Sequence, residues 1–295
     1  LKLLPWTFLE RLAQLFNVIE ASGNWPPALL VGIISMIPKQ GGGMRPLDLR
    51  PISVMSVLYR VWSAARVRQI LDWQEGWVSR HLKGFRLRLG CLDAFWDVAL
   101  KVEAALLDGD EMEALCGLSL DFQKAFDRIP REHIFQLAGL AGLPHKLIGA
   151  LRSAYAGLKR RFKIGQFVGC PFESTNGILQ GCPISIVLLN LLIHVWAEAV
   201  AGEVPGVTPT CYADDAHALA PSPGHIGRAW DVSQEFCDLT NMLLHFRRSH
   251  VWATTKQHRR NLKKTARLPK LVAHERCLGA QLHFDKRGGM LMSMN

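Results

Sequence analysis

The stretch Pro209-Thr210-Cys211-Tyr212-Ala213-Asp214-Asp215-Ala216-His217-Ala218-Leu219-Ala220 places two adjacent carboxylates in a strand-like run with no other formal charge. Two anions side by side repel, most strongly where water is scarce. Two readings fit the pair. One is a hairpin whose Asp-Asp turn faces water, because Asp favours turns. The other is a pair of hard oxygen ligands for a divalent cation, which would remove the repulsion.

Upstream lies Leu118-Ser119-Leu120-Asp121-Phe122-Gln123-Lys124-Ala125-Phe126-Asp127, an apolar strand that ends in a third carboxylate. Asp121, at the end of one strand, could face a carboxylate turn between two others. Acids converging at one sheet edge would suit a two-metal site, in which the ions clamp the attacking and leaving oxygens of a phosphoryl group. Asp127 precedes Arg128-Ile129-Pro130 and reads instead as a cap for the helix that follows.

Around these acids the apolar periodicity predicts helices over residues 3–22, 54–73, 92–107, 131–138, 145–158, 184–200 and 228–239. Strands are expected over 31–37, 115–120, 244–252 and 278–284, with hairpins at 161–173 and around the Asp pair. Gly41-Gly42-Gly43 reads as a loop tip. Asn190, His194 and Glu198 recur every fourth residue in the apolar run 184–200, so this run reads as a half-buried helix rather than a membrane span. From 115 onward the order suits an antiparallel sheet with helices on one face, an α+β fold.

The chain has 295 residues, 49% of them hydrophobic, and a formal net charge of +10. That is enough for one large domain or two joined ones, with a polyanionic partner. The basic residues cluster at Lys159, Arg160, Arg161 and Lys163, and again at Lys256, Arg259, Arg260, Lys263, Lys264, Arg267 and Lys270. Seven cysteines without a C-x-x-C pair indicate neither a disulfide framework nor a zinc site, which fits a reducing compartment. The chain opens on Leu1 and reads as a fragment of a longer protein.

Asp121 with Phe126, then Gly177-Ile178-Leu179-Gln180-Gly181-Cys182-Pro183-Ile184-Ser185, then Tyr212-Ala213-Asp214-Asp215 resemble, in order, motifs A, B and C of reverse transcriptases. Ile37-Pro38-Lys39, Arg50-Pro51-Ile52-Ser53, Gly84-Phe85-Arg86, Ala125-Phe126-Asp127 and Leu278-Gly279 resemble the non-LTR (LINE-type) retrotransposon branch. The resemblance implies a right-hand polymerase. Residues 1–113 would be fingers and 114–295 palm, with a fingers return inserted near 131–183. A thumb, an endonuclease and a zinc knuckle would lie outside the chain.

The resemblance also implies roles. Asp121, Asp214 and Asp215 would be catalytic and would hold two Mg²⁺ ions (Mn²⁺ as a substitute), with the Phe122 carbonyl as an extra ligand. Phe126 would be the steric gate against a ribose 2′-OH. Gln180 and Gly181 would line the incoming nucleotide. Lys39 would contact the triphosphate, together with Arg45 or Arg50; the run from Ser53 to Arg60 favours Arg50. Arg248 stands where the family carries a lysine that contacts the leaving group, and arginine releases its proton far less readily. Leu278 and Gly279 match the primer grip. Implied partners are an RNA template, a DNA primer and deoxynucleoside triphosphates, with no membrane, in the nucleus or cytoplasm. The alternative function is a catalytically silent RNA-binding or maturase-like protein, or a decayed copy of an element. An RNA-templated RNA polymerase shares the palm, but a bulky Phe126 disfavours ribonucleotides.

Overall fold

A computed structural model of the chain describes residues 4–39, 43, 45, 48–108, 114–278 and 280–285. Gly41 and Gly42 of the expected loop tip, and Gly279 of the expected primer grip, lie outside the described residues.

The chain runs α1 (Trp6–Ser22), β1 (Val31–Pro38), β2 (Leu49–Val54), α2 (Val57–Glu75), α3 (Cys91–Asp108), β3 (Cys116–Asp121), α4 (Ala125–Arg128), α5 (Arg131–Leu140) and α6 (His145–Gly157). It continues with β4 (Lys159–Ile164), β5 (Phe167–Val168), α7 (Pro183–Glu203), β6 (Thr208–Tyr212), β7 (Asp215–Ala220) and α8 (Pro223–Thr240). The last elements are β8 (His250–Ala253), α9 (Lys256–Lys264), β9 (Lys270–Leu271), β10 (His274–Cys277) and β11 (Ala280–His283). They fall into two compact units, residues 1–73 with 129–188, and residues 74–128 with 189–295.

The first unit holds a sheet ordered β2-β1-β4-β5, in which β1 is antiparallel to β2 and parallel to β4. The Arg50-Pro51-Ile52-Ser53 stretch lies in strand β2, ahead of the helix, which starts at Val57 rather than 54. Pro51 fits because β2 is an edge strand. Trp25, Tyr59 and Trp62 pack with ring centroids 5.0–5.7 Å apart, and the Trp25 indole N–H donates to the Ala150 carbonyl at 2.8 Å. That bond gives a buried polar tip its partner.

The second unit is built on a sheet ordered β6-β7-β3-β8-β9, antiparallel except for the short β8–β9 pair. Strand β3 is central and buried along nearly its whole length, as its apolar run requires. Alternation sends Cys116, Leu118 and Leu120 to one face, and α8 packs against β3 and β7. Gly117, Ser119 and Asp121 point to the other. There the β10–β11 hairpin and α3 share a core with Trp252, whose ring stacks on Phe284 at 4.1 Å. A Cβ on Gly117 would sit 2.1 Å from that indole, so the strand is bare where the tryptophan lies.

Two sequence expectations are corrected. Asp127 sits inside α4, and the N-cap of α5 is Pro130, with no side-chain cap bond. The strand expected over 244–252 is confined to His250–Ala253. The run expected as a half-buried helix is α7, whose polar stripe goes from a buried Asn190 to an exposed Glu198. Among the described residues α7 is the one helix long and apolar enough to cross a membrane, but two-thirds of its apolar window is buried within the protein.

Candidate active site

Strands β6 and β7 pair so that Tyr212 faces Asp215, which leaves Ala213 and Asp214 as a two-residue hairpin loop. Two-residue loops of this kind need positive φ. Here Ala213 adopts it, at +56°. An alanine held there is strained, and the surroundings explain why it stays. A Cβ at Gly84 would lie 2.5 Å from the Ala213 amide nitrogen, so the loop backbone presses directly on a glycine. Gly84 is fixed in turn. Its carbonyl accepts from the Asn190 amide at 2.9 Å, and the same amide donates to Gln74 at 3.0 Å. Next to it, Arg86 grips the Glu75 carboxylate (2.6 Å) and the carbonyls of Ser79 and Leu82. The Phe85 ring lies 5.8 Å from that of Tyr212. The Gly84-Phe85-Arg86 segment is thus a brace behind the Asp pair.

Asp215 pairs directly with Asp121 across β3 and β7. Directly paired residues share a face with their Cβ atoms about 5 Å apart, where like charges repel. Both acids open on a cavity of about 130 Å³, lined also by Ser119, His217, Arg248, Glu275 and Leu278. Asp214 and Asp215 are exposed, and Asp214 is at the loop tip. Arg248 Nη1 stands 3.7 Å from Asp121 Oδ2. The Asp121 amide donates to Ser249 Oγ at 3.2 Å, and its carbonyl accepts from the His245 amide at 2.8 Å, which pins the strand end.

Behind the acids runs a polar chain that the motifs did not reveal. Ser119 Oγ donates to Glu275 Oε2 at 2.6 Å. While Glu275 is ionised that proton is committed, so His217 Nδ1–H donates to Ser119 Oγ at 3.1 Å and Nε2 accepts from the Cys277 thiol at 3.5 Å. Burial holds His217 neutral, with its pKa near 4, and pushes the Cys277 thiol up to about 12. Burial raises the Glu275 carboxyl to about 7; the Ser119 bond pulls the other way, and the Asp215 charge adds the smallest push upward. One sequence signal did exist: Glu275 is the lone acid between Asp238 and Asp285.

Phe122 is buried, its ring edge-on to Trp196 and Phe236, and Phe126 on α4 is partly exposed. Leu278 lines the cavity with φ at +48°.

The remaining sequence candidates belong to the first unit. Lys39 follows β1, and its amide donates to the Asp48 carbonyl at 3.1 Å. Arg50 on β2 is exposed, whereas Arg45 is ion-paired with Asp48 at 3.2 Å. Gln180 and Gly181 pack on the same strand. The Ser53 amide donates to the Gln180 carbonyl at 2.7 Å, and a Cβ on Gly181 (φ +108°) would meet the Ser53 carbonyl at 2.8 Å. Arg131 holds the loop from below through the carbonyls of Ser174, Asn176 and Gly177.

The chain is 25% identical over 241 residues to the Pol polyprotein of the type-2 retrotransposable element R2DM of Drosophila melanogaster, covering 78% of this chain and 22% of that protein. It is 31% identical over 199 residues to the probable RNA-directed DNA polymerase of the Drosophila melanogaster transposon X-element, covering 66% of this chain and 21% of that protein. The chain therefore spans about a fifth of these relatives' length. The fold matches apo telomerase from Candida tropicalis, truncated from its C-terminal domain, with a TM-score of 0.62 at 14% identity, over 94% of this chain and 59% of that truncated chain. Its curated relatives are reverse transcriptases of non-LTR retrotransposons. Residues 37–263 match the family described as reverse transcriptase (RNA-dependent DNA polymerase), and this chain belongs to that family.

Proposed function

We propose that the chain is the polymerising part of a non-LTR retrotransposon protein, extending a DNA 3′ end by copying RNA. The observation that carries this reading is the Asp121–Asp215 pair, with Asp214 beside it, at the mouth of a cavity. Members of the family generally use divalent metal ions. Asp121 and Asp215 offer hard carboxylate oxygens of the kind Mg²⁺ takes, on one rung and open to the cavity, where the ion keeps coordination positions for phosphate and water. Among the described residues no three His, Cys, Asp or Glu side chains already stand together as a closed metal cluster. Asp121, Asp214, Asp215 and the Phe122 carbonyl would hold two ions, which when bound supply acidity to the primer 3′-hydroxyl and neutralise triphosphate charge.

The chain's own residues do the rest. Phe126 presents its ring to the sugar and crowds a 2′-OH. Lys39 and Arg50 bind phosphate; with Arg45 engaged by Asp48, Arg50 is the better candidate for a bidentate grip. Gly181, bare because a side chain there would meet the Ser53 carbonyl, holds the loop backbone against β2 beside the incoming nucleotide. Arg248, close to Asp121, offers fixed positive charge to the leaving group, and Leu278 with Gly279 supports the primer.

Primer extension on an RNA template with deoxynucleotides and Mg²⁺ tests this against the Asp214→Ala, Asp215→Ala double variant. Extension by the chain, or by a version carrying its native downstream sequence, should vanish in the variant. Absent extension from both, with RNA binding unchanged by the double substitution, would establish the silent RNA-binding alternative.

A further inference from the structure

Strands β4 and β5 form a hairpin whose tip is unusual for a protein surface. Ile164 faces Phe167 across the ladder, and they are 70% and 84% exposed. Phe162 and Val168 are also exposed. Phe162 stacks on Phe172 with centroids 5.1 Å apart and planes 15° from parallel, and the Arg160 guanidinium lies 5.2 Å over the Phe172 ring. Alternation puts Arg160, Phe162 and Ile164 on one face of β4, and Lys159, Arg161 and Lys163 on the other. Residues 159–172 contain no acid.

Large apolar groups left in water mark a binding surface. Their neighbours decide its partner. Protein interfaces are depleted in lysine at their cores, and this tip is framed by basic residues. Exposed aromatic faces beside cations are how proteins hold unpaired bases: rings stack on the bases while lysine and arginine follow the phosphates. A duplex offers phosphates but buries its base faces. We propose that the β4–β5 hairpin binds single-stranded nucleic acid that passes round its tip, with Phe167 and Ile164 on one face as the platform for an unpaired base and Arg161 and Lys163 on the opposite face as contacts for the flanking phosphates. It assigns a place to the template binding of the proposed function and rests on that reading.

The test is fluorescence anisotropy of a short labelled oligo-uridine RNA with the chain, without nucleotides or Mg²⁺, over a range of salt. Phe167→Ala should weaken binding about tenfold and Phe167→Trp should restore it, because any aromatic face stacks. Lys163→Ala should instead flatten the dependence of log affinity on log salt by about 0.7. Binding to a blunt RNA duplex should ignore Phe167→Ala. RNA binding that Phe167→Ala leaves intact, or a loss equal for single strand and duplex, would overturn the hairpin proposal. It would leave the polymerase reading standing. A chain that bound no RNA at all would remove both. Phe167 is almost wholly in water, so its removal leaves the fold intact.

Discussion

Glu275 is a carboxyl folded into a place where its charge is disfavoured. Facing it are Ser119 and Asp121 on β3, Asp215 and His217 on β7, Arg248, and Arg276 and Cys277 on its own hairpin. His250 on β8 pairs with Ser119 beside them. Burial raises its pKa from the ordinary 4.5 to about 7. The folded protein therefore binds this proton more tightly than the unfolded chain does. The resulting stability is fully present below pH 4.5 and is lost as pH rises through about 7. The loss amounts to at most about 3 kcal/mol. Glu275→Gln, which stays neutral, should flatten that slope and be the more stable protein at pH 8, read by urea unfolding without divalent ions. An unchanged pH slope in the variant would mean that the proton sits elsewhere. Nothing in the motifs singles Glu275 out, because its environment is assembled by three strands distant in sequence.

At the scale of elements, the Asp hairpin is a strained turn held by a brace. Ala213 alone would not keep positive φ; the bare surface of Gly84, fixed by Asn190 and flanked by the Arg86–Glu75 pair, leaves the turn its room. Gly84→Ala should push the loop by a fraction of an ångström to an ångström. A displacement of that size at a reacting centre costs on the order of a hundredfold in rate. Primer extension should fall by that order while template affinity stays the same. Equal affinity with full extension would show that the loop tolerates the side chain. The hairpin itself was legible, since alternating apolar residues bracket its turn. The Asp121 strand was legible from its apolar run. The brace was not, because a glycine's neighbours are tertiary facts. Helix α9 was not legible either. Its Thr255 caps the His258 amide at 3.3 Å, but its single buried residue, Leu262, leaves almost no apolar stripe for periodicity to find. The 244–252 run misled for the opposite reason: it is apolar enough for a strand, but the chain turns over residues 246–248 before β8 begins.

At the scale of the whole molecule, a net charge of +10 argues for a polyanionic partner, but the charges do not act alike. In the basic run of α9 and its flank, Arg259 spends its guanidinium on the carbonyls of Ala253, Thr254 and Phe284, and so ties the C-terminal hairpin to β8. Arg267 is paired with Asp231 at 2.8 Å. Lys256, Arg260, Lys263, Lys264 and Lys270 are exposed. A sequence counts seven positive residues there; the fold assigns one to structure and one to an ion pair, and leaves the exposed five as the ones able to meet phosphate. Each phosphate neutralised by a cation releases counterions, so log affinity falls with log salt by about 0.7 per contact on a single strand and 0.9 on a duplex. The double variant Lys263→Ala, Lys264→Ala should therefore weaken template–primer binding at low salt and reduce the slope by about 1.5, with the difference from the parent closing as salt rises. Arg259→Ala should lower thermal stability with little change in slope, because its charge is already occupied by carbonyls. If the two substitutions had interchanged effects, α9 would not be a phosphate-facing surface, and the basic excess would have to act through the β4–β5 hairpin instead.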